Sequence, residues 1–184
     1  MKIHTVISTI ILSCCLSCQQ ARLPSFQEEQ MKMIEEFREQ FSGTWQIKHA
    51  QIQHSELVDI NYSTGIIADT LLQNLATLHI QPATQQSDDR LLTLEGTLLF
   101  RNQTIPLHIQ FYPHTSKESL SQGVVSINLG LSKTNSPLPQ AEMSYLTTIG
   151  FLGENFSIKT IPKQSTMTWQ GLNRAIIEAK LIKI

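Results

Sequence analysis

Residues 91–113, "LLTLEGTLLFRNQTIPLHIQFYP", constrain the fold more than any other stretch of the chain. Leu92, Leu94, Leu98 and Phe100 alternate with Thr93, Glu95, Thr97 and Arg101. Beyond a turn at Asn102-Gln103, Ile105, Leu107, Ile109 and Phe111 alternate with His108, Gln110 and Tyr112. Successive side chains of a strand point to opposite faces, so a period of two specifies a hairpin with one dry and one wet face.

The same period returns through the rest of the body. "GVVSINLGLS" places Val125, Ile127, Leu129 and Leu131 on one face, and "EMSYLTTIGFLGENFSIKTIP" reads as two strands around the turn "GEN". "TWQIKHAQI", "LVDINYS" and "STMTWQG" read as further strands. "GIIADTLLQNL" suits a short helix feeding the strand "ATLHIQPA". The closing "NRAIIEAKLIKI" alternates Ile177, Ala179 and Leu181 and is expected to be a strand. Ahead of all this, "SFQEEQMKMIEEFREQFSG" is a helix. Ser25 with Glu28 three residues on forms a capping box, Ile34, Phe37 and Phe41 recur at helical spacing, and Gly43 supplies the stop. The stripe is narrow, which fits a helix packed on the side or mouth of something larger. The expected fold is mainly β, an antiparallel barrel or sandwich of about nine to ten strands preceded by one N-terminal helix. No alternation of helices and strands marks a parallel α/β sheet. The longest loop, "SKTNSPLPQ", is an exposed crossing.

The chain's 3 cysteines all fall in "LSCCLSCQQ", residues 12–20. Lys2 and His4 open the sequence, an apolar stretch follows at residues 5–12, and small residues lead to cysteine, the three-part plan of a secretory signal. The apolar run is far short of the roughly 20 residues that a membrane-spanning helix needs. The small residues and cysteine resemble a lipobox, the signal at which bacterial lipoproteins are cleaved and lipidated. Cys18 leaves a signal of ordinary length with polar residues after it, while Cys14 has the better local pattern, "ILSC". Cys18 is preferred. The resulting plan is a signal peptide at 1–17, a lipidated tether at 18–24, and a single β-rich domain at 25–184 with its helix at 25–42. "CLSC" has the spacing of a metal or redox pair but lacks a second ligand pair. With Gln19 and Gln20 standing where inner-membrane retention would place Asp, the resemblance implies an outer-membrane lipoprotein facing the periplasm and carrying acyl chains such as palmitate.

"SGTWQI" resembles the entry to a lipocalin or related calycin barrel. In that family a Gly-x-Trp opens the first strand, the Trp plugs the closed end, and a basic residue of the closing strand covers it. Trp45 would be the plug, and Lys180 or Lys183 would reach it, because Arg174 lies at the wrong end of its strand. The resemblance implies an interior that holds a small apolar ligand such as a fatty acyl chain. Candidate lining residues are Trp45, Phe111, Tyr145, Phe151 and Trp169, with the plain core-packing reading standing beside it.

Chemistry is sparse. His49, His54, His79, His108 and His114 are scattered without an HxH or HxxxH pair, so no metal is expected. Asp88-Asp89 read as a turn, and no nucleophile elbow, zinc signature or phosphate loop occurs, so no catalytic residue or cofactor is expected. A formal net charge of −1 without like-charge runs gives no steering toward nucleic acid. Two functions follow as expectations: a non-catalytic, lipid-anchored barrel binding a hydrophobic ligand, or a solid-core lipoprotein that works through protein contacts.

Overall fold

The computed structural model describes residues 25–54, 65–84, 91–113, 122–130, 139–159 and 165–184. The leader with Cys14 and Cys18, the strand expected at 57–63, Asp88-Asp89, His114 and most of the long loop lie outside the described residues.

The central hairpin forms as the alternation demands. Strands Leu92–Phe100 and Gln103–Pro113 pair antiparallel, with Leu94 opposite Ile109 and Leu98 opposite Ile105, all four fully buried. The turn sits one residue earlier than expected. Arg101 and Asn102 both take positive φ (48° and 62°), the backbone of a tight two-residue turn whose twist matches that of the strands.

Eight strands follow one another around a closed barrel: β1 (Gly43–Ile52), β2 (Thr70–Pro82), β3 (Leu92–Phe100), β4 (Gln103–Pro113), β5 (Gln122–Leu129), β6 (Glu154–Lys159), β7 (Thr166–Gly171) and β8 (Ile176–Lys183). β8 closes on β1, with Trp45 opposite Lys183 and Ala50 opposite Ala179. Closure leaves the sheet without a terminal strand, so backbone groups that an open sheet would expose are paired. The barrel, rather than the sandwich, is the fold.

Among the described residues, two helices accompany it. α1 (Phe26–Phe41) has the expected capping box: the Ser25 hydroxyl accepts from the Glu28 backbone N–H, and Glu28 Oε2 accepts from the Ser25 N–H at 2.6 Å. Those bonds hold the Glu28 carboxyl below its ordinary value. Met33, Ile34, Phe37 and Phe41 are its buried stripe. α1 runs directly into β1, so it covers the end of the barrel where odd strands start. α2 (Gln140–Thr148) joins the end of β5 to the start of β6 and covers the opposite end.

Two expectations are corrected. The segment before "GEN" is α2 and not a strand: it buries Tyr145 and Leu146 over the barrel end, a position that demands one turn-spaced face rather than a period of two. Residues 70–75 are not a helix. They begin β2, which runs unbroken for 13 residues. An irregularity between Ile47 and His49 interrupts the β1–β2 register, and Asn74 there takes φ 50° while its side-chain oxygen accepts from Lys48 Nζ at 3.1 Å. Gln73 and Asn74 are consecutive outward residues, so the alternation slips at that point and resembles a helical spacing. With 57–63 outside the described residues, these changes bring the strand number to eight.

Candidate functional site: the barrel interior

Gly43 and Trp45 open β1 at the base. Gly43 has φ 126°, and a Cβ there would fall 2.7 Å from Lys183 Cε. The positive φ of the turn out of α1 favours glycine here, and the missing side chain leaves room for the Lys183 stem as it lies. Lys183 Nζ then lies 5.3 Å from the centre of the Trp45 ring, within cation–π range. Of the two lysines expected to cover this ring, Lys183 does so; Lys180 is exposed and pairs with Glu178. Arg174 sits at the far end, where its Nη1 donates to the Thr147 carbonyl. On its inner edge Trp45 Nε1 donates to the Phe41 carbonyl at 2.8 Å. This bond takes up one of the acceptors that the last turn of any helix leaves without an intrahelical partner. The indole thus fastens helix to barrel.

From Phe41 a chain of rings runs through the interior. Phe41 lies 5.9 Å from Phe111 and 6.4 Å from Trp169, and Phe37 lies 4.0 Å from Phe111. Trp169 continues to Phe156 at 5.6 Å, and Phe156 to Phe151 at 6.1 Å. On β5, Gly123 pairs with Pro113, diagonal to Phe111, and a Cβ there would come within 2.1 Å of the Phe111 ring, so the missing side chain is the space the ring fills. Of the five candidate residues, the structure brings Phe111, Phe151 and Trp169 into this one chain, with Trp45 joined to it through Phe41. Tyr145 stands apart. It belongs to α2 at the other end, stacked 5.5 Å from Phe100, with the Arg101 guanidinium 4.4 Å from its ring.

Trp45, Phe111, Phe151 and Trp169 each have 0 % of their surface exposed. These four side chains are therefore packed against protein on all sides. In the form described, they are core. An eight-stranded barrel is just wide enough to be filled by its own side chains or to hold one small ligand, and α1 adds Phe37 and Phe41 to the filling.

Two buried polar groups are unusual. Trp169 Nε1 meets no acceptor among the described residues. Glu154, 1 % exposed, begins β6. Its Oε1 accepts from the Asn155 N–H (2.7 Å), the Asn173 N–H (3.1 Å) and Asn173 Nδ2 (3.0 Å), which ties the β7–β8 turn to the end of the barrel under α2. Neither Glu154 nor Arg101 stood out in the sequence, because a lone Glu after "LG" and an Arg in a turn carry no spacing signal. Phe37 and Phe41 were legible as a helical stripe but not as barrel filling.

Burial of the Tyr145 phenol raises its pKa above the ordinary 10.0, opposed by the nearby Arg101 charge. The folded form thus holds this proton more tightly than the unfolded chain. That stabilisation is complete below pH 10 and is lost as pH climbs through the raised midpoint. Spectrophotometric titration of phenolate should show a step with a midpoint above 10 that Tyr145→Phe removes.

Among the described residues no three His, Cys, Asp or Glu side chains gather as a metal site, and no helix is long and apolar enough to cross a membrane. His79 makes a cross-strand contact instead, its Nδ1 3.1 Å from Thr44 Oγ1. The fold defines a closed antiparallel barrel with a cluster of buried aromatic rings in its interior. No protein-family model, no curated protein and no solved structure matches the chain.

Proposed function

We propose that this chain is a lipid-anchored, non-catalytic protein of a bacterial cell envelope whose filled barrel works through its outer surface. The observation that carries the second half is the packing: four of the five candidate ligand-lining side chains have no surface that water can reach. A ligand would have to displace rings that already hold α1 in place. The first half rests on the sequence at Cys18, where small residues after an apolar segment resemble a lipobox. The likeness of Gly43-Thr44-Trp45, with Lys183 over the indole, to the calycin entry supports a relationship of architecture. It does not by itself favour a ligand.

Two measurements test this reading. In a bacterial host, Cys18→Ser should move the protein out of the membrane fraction, and Cys14→Ser should leave it there. Retention of the Cys18 variant in membranes sinks the anchor. Native mass spectrometry of the protein from its own host should give the mass of the chain with its acyl groups and nothing more. A further co-purifying lipid, lost in Trp169→Ala, would replace the filled barrel with a ligand carrier.

A further inference from the structure

We infer that α2 undocks from the barrel end as a unit while all eight strands stay closed, and that Arg101 and Arg174 set how often it does so. A helix of 9 residues is too short to persist in water by itself, since isolated helices below about 12–15 residues are marginal. α2 also lacks a side-chain cap: Pro139 stands at its N-cap and offers no acceptor to the first turn. What keeps it helical is its seat on the barrel, and that seat is small. Tyr145 and Leu146 are its buried side chains, against four on α1.

Two arginines from separate turns complete the seat. Arg101, in the β3–β4 turn, lays its guanidinium 4.4 Å from the Tyr145 ring and 4.9 Å from Phe100, on which Tyr145 stacks. Arg174, between β7 and β8, donates from Nη1 to the Thr147 carbonyl at 3.2 Å, at the end of the helix where its dipole favours a cation. The Arg174 stem passes Gly150, where a Cβ would fall 2.7 Å from Arg174 Cβ. Both arginines are exposed, so water competes for each contact and neither is costly to break.

The chain marks where the movable part ends. Gly150 and Gly153 follow the helix with φ of 79° and 72°. Between them Phe151 is fully buried against Phe156, and the Gly153 N–H donates to the Ile127 carbonyl of β5, so the chain rejoins the barrel at once. Undocking therefore leaves the row of interior rings in place. Water gained at this end offsets part of the lost contact, because Glu154 Oε2 is buried there and meets no donor among the described residues. The undocked form bares Phe100 beside Leu99, Leu129 and Leu172, each already at least 40 % exposed, so the two forms present different surfaces.

Amide hydrogen exchange of the full chain in detergent tests this. The Met143 and Ile149 N–H groups donate to the carbonyls of Pro139 and Tyr145 in the first and last turns of α2, and Gly153 is the control just past the hinge. Met143 and Ile149 should exchange at least about 100-fold faster than Gly153 and the amides of the β3–β4 hairpin, as a local opening requires. Trp45→Phe, at the opposite end, should speed the hairpin amides and leave Met143 and Ile149 unchanged, because Trp45 packs alike in both forms. Arg101→Ala and Arg174→Ala should each speed Met143 and Ile149 roughly twofold to fivefold, the scale of one exposed contact of this kind. Should the Trp45 variant fail to fold, sub-denaturing urea takes its place. It should accelerate the hairpin amides steeply and those of α2 little, since a local opening exposes little surface. Equal rates in α2 and the hairpin, equal acceleration of both by Trp45→Phe or urea, or indifference of α2 to both arginine changes overturns the inference. None of these outcomes bears on the lipid anchor or on what the barrel interior holds.

Discussion

Trp45→Ala should cost about 3–5 kcal/mol of stability in urea unfolding, the range for removing a large buried aromatic. The ring is fully buried, its N–H closes the last turn of α1, and the Lys183 side chain packs over it. A loss below about 1 kcal/mol, the scale of a surface substitution, would mean that the indole does not plug the barrel. The second buried tryptophan provides the contrast. Trp169 Nε1 has no acceptor among the described residues, so Trp169→Phe surrenders no hydrogen bond seen there. Trp45→Phe strands the Phe41 carbonyl and should cost about 1 kcal/mol more than Trp169→Phe. Equal costs would show that the bond to α1 contributes nothing. Lys183→Met keeps the stem over the ring and loses only the charge, an expected effect of about 0.5–1 kcal/mol.

Removing residues 25–42 should abolish cooperative folding of the barrel. α1 buries Met33, Ile34, Phe37 and Phe41, each 5 % exposed or less. Four such side chains at about 1.5–3 kcal/mol each amount to about 6–12 kcal/mol. A single domain has only about 5–15 kcal/mol in total. The truncated chain is expected to show no sharp thermal transition and to bind a hydrophobic dye, since Phe111 and Trp169 lose the rings that cover them. A truncated barrel that melts cooperatively near the temperature of the whole chain would make α1 a passenger.

Much of this was legible beforehand because it is written locally. Ser25 and Glu28 are three residues apart and form their capping box with no help from the rest of the molecule. Leu92, Leu94, Leu98 and Phe100 declare their face two residues at a time. Even the pairing of Trp45 with a lysine of the closing strand follows once β1 and β8 are taken as antiparallel neighbours. The failures have a common physical source. Residues 142–148 carry β-branched and apolar side chains that suit a strand, yet they lie in α2 because a helix covers the open end of a barrel and a ninth strand could not enter a closed ring. Gln73 and Asn74 break the alternation because neighbouring strands of the barrel adjust their register there, an event that involves β1 as much as β2.

The sequence by itself determined which side of each regular strand faces inward, where the helix begins, and where cysteine chemistry could occur. These depend on backbone periodicity and on contacts within a few residues. Only the tertiary structure decided that eight strands close and that Phe37 and Phe41 of the helix meet Phe111 and Trp169 of the barrel. These contacts are non-local: the width of the interior depends on strand number and stagger, and the side chains that meet there come from segments far apart in the chain.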